Sequence, residues 1–328
     1  YSFNEFYSIL LKLDSLSFTI DKLTCSIFYQ SLIDSKYKIN NFEDPIYHLK
    51  SIKNNTEIEN MKTAHIKDGV ALTKFLYWIK QNKNFGFDEL SLEKKLEFFR
   101  KKNKDYIYPS FNTIAGSGPN SAIIHYRSSK KTNRKIKKND IFLCDSGGQY
   151  KYGTTDVTRT VCFKKPSEKI KNIFTRVLKG HIAVATHNLN NIRKGYLIDK
   201  KARAALNKIN LDYGHGTGHG VGFFSNVHEG PQAISKFNSV ELKEGMIVSN
   251  EPGYYEEGKF GIRIENLVYI QKKNNKLKFK NLTMAPIDKD LINENLLTSN
   301  EKKYLINYTE VNTHFNLSQK LVRLNFLR

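Results

Sequence analysis

Four carboxylates lie in or beside segments that are typical of buried β-strands, and this feature constrains the fold most strongly. Asp145 follows the apolar run Ile141–Cys144, and Asp156 comes after a glycine-rich turn. Glu265 lies within an otherwise apolar strand, and Glu251 precedes it across a turn bounded by glycines. A buried carboxylate is costly unless it is protonated or paired with a cation. The fold must therefore supply these groups with partners.

Each pair of carboxylates also has a simpler interpretation. Aspartates beside strands often cap turns, although a hairpin of this length can also place Asp145 and Asp156 on one face, within reach of a shared ion. Glu265 could instead pair with Arg263, which lies two residues before it in the sequence. These residues alone leave the choice open.

A glycine-rich run over residues 214–222 contains His215 and His219, and His228 follows it. Its glycines let the backbone pass close to another group. The run fits a phosphate-binding loop poorly, because it lacks the terminal Lys-Ser/Thr of that motif. Four carboxylates and an imidazole form a mostly oxygen ligand set, whose negative charge two divalent cations would cancel. The combination favours a site for two metal ions.

Composition indicates a folded protein of 328 residues with 39% hydrophobic residues and a net charge of +21. The charge raises nucleic acid as a partner, but the Lys, Asn and Ile richness also fits the codon bias of an AT-rich genome. Three widely spaced cysteines favour a reducing compartment. No apolar run is long enough to span a bilayer. Since the chain begins at Tyr1, we expect a piece of a longer protein that has lost any N-terminal signal.

Two regions are expected along the chain. Residues 1–50 read as the end of an upstream domain, and residues 51–328 as one larger domain with a C-terminal helical extension. A capping box at Thr56 starts the first long helix. Blocks of helices and strands predict an α+β fold with an antiparallel sheet flanked by helices. We expect helices over 56–81, 91–102, 167–190 and 196–209, strands within 110–126, 141–144, 155–163 and 212–286, and a last helix after a capping signal at Thr298.

A basic run between Arg127 and Lys138 stands out from the rest of the chain. We interpret it as a solvated loop ahead of a buried strand, the alternative being a patch that attracts anions or nucleic acid. Ser, Thr and Asn interrupt the run, and it has no aromatic residues on which bases could stack. We therefore expect no specific nucleic-acid binding.

Ordered motifs make the chain resemble aminopeptidase P, the Xaa-Pro aminopeptidase family of pita-bread (creatinase/aminopeptidase) metallopeptidases. The resemblance covers roughly residues 50–310. The upstream domain would then be creatinase-like. The motifs are Gly118-Pro119-Asn120, Ile123-Ile124-His125-Tyr126, the run from Asp145 to Thr160, His215 to Gly222, Asn226 to Pro231, Glu251 to Tyr255 and Gly261 to Asn266.

The resemblance implies two divalent metal ions, most often Mn²⁺, with Co²⁺ or Zn²⁺ as alternatives for the same ligands. Asp145 would bind the first ion, Asp156 and Glu265 would bridge both, and His219 and Glu251 would complete the second. A water or hydroxide bridging the metals would attack the peptide bond. Relatives often carry Thr-Asp where this chain has Ser249-Asn250.

The same resemblance assigns the remaining roles. His125, His215, His228 and Glu251 would be catalytic, with Glu251 moving a proton to the leaving nitrogen. The three histidines would also bind substrate, together with Tyr255 and Arg263. Tyr255 would form a wall of the proline pocket, or simply pack in the core, and Arg263 would brace Asp156 or Glu265. Cys144 and Cys162 are interpreted as small buried apolar groups.

The function implied is hydrolysis of N-terminal Xaa-Pro bonds in peptide catabolism, with peptides that carry proline in second position as substrates. A homodimer and a cytoplasmic location are expected, the alternative location being a digestive vacuole or lysosome-like compartment. Two other functions stay open: a non-catalytic scaffold of this fold that binds nucleic acid or protein, and a methionine aminopeptidase or prolidase.

Overall fold

The computed structural model of the protein describes residues 2, 5–14, 17–82 and 86–318. Its internal contacts divide the chain into two units, Tyr1–Lys50 and Ser51–Arg328. The origin of the first unit in an upstream domain stays a prediction. None of the described helices is long and apolar enough to cross a membrane.

The first unit contains a parallel pair of strands joined through a helix. Strand β1 pairs with β2 in parallel, and α2 connects them. Leu10, Ile33 and Tyr37 form its small core. Its elements, with the helix that leads into the second unit, are α1 (Phe6–Lys12), β1 (Ser17–Ile20), α2 (Ile27–Asp34), β2 (Lys38–Asn41) and α3 (Pro45–Ser51).

The helices of the second unit largely follow the predicted pattern. The helix expected over 167–190 ends at Ala185, and the C-terminal helix follows the Thr298–Glu301 capping bonds, as predicted. The helices are α4 (Asn55–Gln81), α5 (Glu89–Lys101), α6 (Glu168–Ala185), α7 (Gly195–Asn207) and α8 (Ser299–Ser318).

Two helices begin one or two residues before their predicted starts. The capping box of α4 uses Asn54 and Glu57 rather than Thr56, because Asn54 has the extended backbone that an N-cap requires. Helix α5 begins at Glu89, and its cap is Asp88. Ser91, the predicted start, lies inside the first turn and bonds back to the Asp88 backbone.

The strands of the second unit form small antiparallel sheets, as predicted. In one sheet β5 lies between β4 and β8, and in another β14 lies between β11 and β15. The strands are β3 (Tyr106–Pro109), β4 (Ile114–Ser117), β5 (Ile141–Ser146), β6 (Gly148–Tyr150), β7 (Gly153–Thr154), β8 (Val157–Cys162), β9 (Gly218–His219), β10 (Ala233–Ile234), β11 (Ile247–Asn250), β12 (Gly253–Glu256), β13 (Phe260–Arg263), β14 (Asn266–Lys273) and β15 (Lys276–Asn281).

The region predicted as strands over 110–126 contains only one strand, β4. A 3₁₀ turn over Gly118–Ala122 follows it at once. The turn forms because Gly118 has a φ of +53°, a left-handed conformation that glycine adopts at little cost, and Pro119 then favours the turn.

The basic run forms an irregular loop before β5, consistent with the interpretation as a solvated loop. Lys130, Lys131, Lys137 and Lys138 are exposed. Arg134 instead pairs with Asp140 at 3.2 Å.

Two buried arginines fix the strands that carry the acidic residues. Arg159 on β8 joins that strand to β14 and α8. Its guanidinium donates to the carbonyl oxygens of Thr158, Glu265, Ala285 and Pro286, to Asn266 Oδ1 and to Tyr308 Oη.

Arg100 on α5 is the second such arginine. Its Nε and Nη2 donate to the two carboxylate oxygens of Asp68 at 2.7 and 3.1 Å, and Nη2 also donates to Ser146 Oγ. The hydroxyl of Tyr150 donates to the same carboxylate. The pair therefore links α4 and α5 to the end of β5, next to Asp145.

Replacing Arg100 tests this link. Arg100→Met leaves the buried Asp68 carboxylate without its cation, so we expect the free energy of unfolding to fall by about 3–5 kcal/mol. The control is Lys101→Met, which removes an exposed pair with Glu97 on the same helix and should change it by less than about 1 kcal/mol. Urea denaturation followed by circular dichroism measures both, and equal losses would contradict a special role for Arg100.

Candidate metal centre and substrate cavity

Antiparallel pairing brings the four carboxylates together from separate strands. Asp145 lies on β5, where it faces Thr158 of β8 across the register. Asp156 lies directly before β8, Glu251 directly after β11, and Glu265 between β13 and β14. All four side chains line one cavity of about 510 Å³.

The imidazole of His219 lies among these carboxylates. Its Nε2 is 3.4 Å from Asp156 Oδ2 and 3.4 Å from Glu251 Oε1. Its Nδ1 lies 2.9 Å from the carbonyl oxygen of Gly220, and such a contact requires the proton on Nδ1. The lone pair of Nε2 is then available to a metal. Ligand atoms of Asp156, His219 and Glu265 all lie within 4.8 Å of one another.

Burial makes it costly for these carboxylates to remain charged side by side. Desolvation, followed by the charge of Asp145, raises the pKa of Asp156 well above its usual range. Desolvation and then Asp156 raise the pKa of Glu265 in the same way. The pKa of Glu251 is also raised, first by burial. Divalent cations at this position would remove the repulsion and keep the carboxylates ionised.

Asp145 shows where such a cation fits. Its Oδ2 accepts a bond from Arg263 Nη2 at 2.6 Å, whereas its Oδ1 is buried and has no hydrogen-bond partner. A buried oxygen of this kind needs an explanation. An oxygen-rich set with one imidazole suits hard or borderline divalent metals, so the residues fit a metal centre.

Arg263, expected to brace Asp156 or Glu265, bonds directly to Asp145 and is connected to Glu265 only through another residue. Thr158 lies between Arg263 and Glu265: its hydroxyl accepts from Arg263 Nε and donates to Glu265 Oε2 at 2.6 Å. Thr158 was not predicted as a site residue, although its position two residues after Asp156 in an alternating strand is a usable signal.

Ser249 is a second residue that the sequence analysis did not assign. Its hydroxyl donates to Glu251 Oε1 and accepts from the backbone N–H of His219, each at 2.9 Å. The serine thus orients two of the predicted ligands. Its neighbour Asn250 points away from the carboxylates, and its amide donates to the carbonyl of His181.

The other three histidines of the predicted site also line the cavity, and two of them have a lowered pKa. Burial, followed by the charge of Arg263, lowers the pKa of His215 to about 3. Burial and then His219 lower the pKa of His228 to about 4. The ring centroids of His219 and His228 lie 3.9 Å apart. His125 is exposed at the cavity surface.

Tyr255 connects His215 to Arg263. His215 Nδ1 contacts the Gly216 carbonyl, so its Nε2 accepts from the Tyr255 hydroxyl at 2.8 Å. That hydroxyl accepts in turn from Arg263 Nη1 at 2.5 Å. The ring packs against the core, and Tyr255 is not among the described residues that line the cavity. The contacts favour core packing over a pocket wall.

A buried ion pair supports the loop that carries His228. Lys53 Nζ lies 2.6 Å from Glu229 Oε1, and both side chains are almost fully buried. The N–H of Glu229 bonds to the carbonyl of Gly220, beside His219. Neither member of this pair was singled out from the sequence.

A second group of potential ligands already has its own cation. Cys162, Asp288 and Asp290 lie close together, but Lys80 donates to both aspartates. Burial raises the pKa values of the Cys144 and Cys162 thiols to about 12. Both stay protonated, in agreement with their interpretation as small apolar groups.

Comparison with known proteins decides the family. The sequence profile of metallopeptidase family M24 matches residues 59–272, and the profile of its C-terminal region matches residues 275–321. The chain belongs to metallopeptidase family M24.

Two fungal relatives illustrate the similarity of this M24 chain to curated proteins. The probable Xaa-Pro aminopeptidase P of Laccaria bicolor is 50% identical over 277 residues, which are 80% of this chain and 43% of the relative. That of Paracoccidioides brasiliensis is 43% identical over 285 residues, 83% of this chain and 46% of the relative. The chain thus spans less than half the length of these relatives.

Solved structures agree with the family assignment and show the fold. The X-prolyl aminopeptidase of Caenorhabditis elegans, described as a cytosolic enzyme with a di-nuclear active site, matches at TM-score 0.82 and 34% identity over 90% of this chain and 50% of that protein. A prolidase of Thermococcus sibiricus matches at TM-score 0.71 and 32% identity over 87% of this chain and 75% of that protein. The M24 chain has the pita-bread fold, as predicted.

Metal titration tests the centre directly. We expect chelator-treated protein to bind about two Mn²⁺ ions per chain, because four carboxylates call for about four positive charges. Asp156→Asn should lose at least one equivalent, since a neutral amide bridges cations poorly. Asp288→Asn, a buried carboxylate paired with Lys80, is the control and should keep both. Isothermal titration calorimetry measures the stoichiometry, and wild-type protein that binds no metal would contradict the assignment.

Proposed function

We propose that this chain is the catalytic part of a dinuclear-metal aminopeptidase that hydrolyses the bond between an N-terminal residue and a following proline. The observation that carries the proposal is the convergence of four carboxylates and His219 on one cavity, with an unbonded oxygen on Asp145. A binding scaffold gains nothing from gathering these mutually repelling groups. The names of the fungal and worm relatives support the Xaa-Pro specificity.

In this proposal the ligands divide between two ions. Asp145 would hold the first, Asp156 and Glu265 would be shared, and His219 and Glu251 would hold the second. Bound divalent cations supply Lewis acidity and lower the pKa of water at the site. The surrounding bonds keep the ligands in place: Arg263 holds Asp145, Thr158 holds Glu265, and Ser249 holds Glu251.

Proton movement and carbonyl binding fall to other groups. Glu251 would take a proton from the attacking water and return it to the prolyl nitrogen, as a carboxylate beside the reacting groups can. His228 is neutral and offers one N–H to the scissile carbonyl as charge develops on its oxygen. His125 lies at the same cavity and has the same role. Tyr255 and Arg263 act through His215, which they orient.

Proline recognition needs an apolar surface beside these groups. An Xaa-Pro amide has no N–H for an enzyme to bind, and its ring fixes φ near −65°. Phe111, Ile124 and Val227 line the cavity together with the ligands. We assign the binding surface for the proline ring to these three side chains rather than to Tyr255.

Four further properties are part of the proposal. Mn²⁺ is the proposed native metal, because carboxylate-rich sites suit it, with Co²⁺ or Zn²⁺ as competitors. A cytoplasmic location is proposed, as in the worm enzyme. A homodimer and the absence of specific nucleic-acid binding stay predictions.

Two histidine variants separate metal binding from catalysis. His228→Ala and His215→Ala should each lower kcat by about 10²–10³-fold with unchanged metal content, because a positioned hydrogen-bond donor or its orienting group is lost. His187→Ala is the control, since that imidazole bonds the Ile192 carbonyl away from the cavity. Metal analysis and kcat are measured on the same samples. Loss of metal from a folded variant would make that histidine a ligand.

A short peptide series tests the specificity. We expect release of arginine from Arg-Pro-Pro, but little from Arg-Ala-Pro or N-acetyl-Arg-Pro-Pro, since the site selects proline and a free amine. Cleavage of Arg-Ala-Pro at an equal rate would contradict the proline claim. Preference for the dipeptide Arg-Pro would instead indicate a prolidase, the activity named for the Thermococcus relative.

A further inference from the structure

The segment from Ser117 to Tyr126 contains the Gly118-Pro119-Asn120 motif and His125. It is held by a buried acid, Glu89, that has no role in the proposal above. Glu89 is the first residue of α5, and its side chain is fully buried. Its carboxylate accepts hydrogen bonds from both ends of the segment and from the loop beyond. The donors are the Ser117 N–H at 2.8 Å, Asn120 Nδ2 at 3.0 Å, the Tyr126 hydroxyl at 2.7 Å and the Arg134 N–H at 3.0 Å.

An acid in the first turn of a helix usually serves its own helix. In α5 that task belongs to Asp88, whose side chain accepts from the Ser91 N–H. The Glu89 carboxylate is therefore free to bond groups outside its own helix. Hydrogen bonds to a charged acceptor of this kind are stronger than bonds between neutral groups. The bonds of Glu89 draw together β4, the turn after it, Tyr126 and the basic loop at Arg134.

Tyr126 transmits this anchoring to the cavity. Its ring packs with Ile114 and Leu143, and its N–H bonds to the Ile123 carbonyl. His125 precedes Tyr126 directly and faces the same cavity. Among the residues that the structure describes, no side chain bonds the His125 imidazole. The backbone on its two sides therefore decides where the ring lies.

The segment is also fixed on its opposite side. The Gly261 N–H donates to Ser121 Oγ at 2.7 Å, and a Cβ on Gly261 would lie 1.9 Å from the Ser121 carbonyl oxygen. Gly261 belongs to β13, the strand that ends at Arg263. The segment thus lies between Glu89 and β13, whose last residue, Arg263, bonds Asp145.

We propose that Glu89 is a positioning residue for peptide hydrolysis: through Tyr126 and the turn at Gly118–Asn120 it aligns His125 with the scissile carbonyl. This inference rests on the proposed function, because it gives His125 a substrate to orient. It also gives a role to the Gly118-Pro119-Asn120 motif, whose residues are not among those that line the cavity.

A double-mutant cycle tests the proposal. Glu89→Gln keeps the shape but sets an amide N–H against donors, so we expect kcat for Arg-Pro-Pro to fall by about 10- to 100-fold with unchanged metal content. In a His125→Ala background the same change should have little further effect, since the group it positions is gone. If the fold-losses of the two single variants instead multiplied in the double variant, the proposal would be overturned.

Glu93→Gln is the matched control. Glu93 lies one turn further along α5, is partly buried, and accepts from Ser128 at 3.1 Å. It should leave kcat within about twofold, and a loss equal to that of Glu89→Gln would indicate general loosening of the helix. If Glu89→Gln does not fold, Tyr126→Phe removes one bond of the network. It should lower kcat several-fold, again only while His125 is present.

A readout without catalysis separates this inference from the proposed function. In metal-free protein with ¹⁵N-labelled histidine, the His125 ring signals should shift in Glu89→Gln and stay in place in Glu93→Gln. An unshifted His125 signal overturns the inference, whatever peptides the enzyme cleaves. A shifted signal in a protein that cleaves no Xaa-Pro peptide overturns the proposed function and leaves Glu89 as an anchor of His125.

Discussion

Mutual repulsion among buried carboxylates is the constraint on which the rest of the site depends. Asp145, Asp156, Glu251 and Glu265 come from separate strands, and nothing in their own charges would keep them together. The sheets do this, because antiparallel ladders are stiff and their ends are tied by buried arginines. A cation then finds its ligands already gathered. Because the ligands are already ordered, little of the free energy of metal binding is spent on ordering them.

Close backbone contacts make this gathering possible. A Cβ on Gly218 would lie 1.9 Å from the Ser249 carbonyl oxygen, and a Cβ on Gly220 would lie 2.0 Å from that of Glu229. The strand that carries His219 therefore passes against β11 and the His228 loop with no space for a side chain. The glycines around His219 thus serve chain contact, rather than freedom of φ, at these two positions.

The sequence was informative where a signal is local. It predicted the long helix, the antiparallel class and the carboxylate cluster from apolar patterning and buried charge. It failed where register or backbone angles decide: Asn54 rather than Thr56 caps α4, and Arg263 bonds Asp145 directly but Glu265 only through Thr158. Glu89 was invisible for a related reason. An acid in a first helical turn looks like ordinary capping until its partners are seen.

The buried pair of Lys53 and Glu229 has a consequence for how the chain can be divided. Helix α4 starts at Asn55, so a cut just before it would look harmless in the helix pattern. Such a cut would take the ammonium partner from a carboxylate that adjoins His228. The lysine therefore belongs to the second unit, Ser51–Arg328, although it precedes every one of that unit's described long helices. Gene fusions that attach other upstream domains to this unit would have to preserve it.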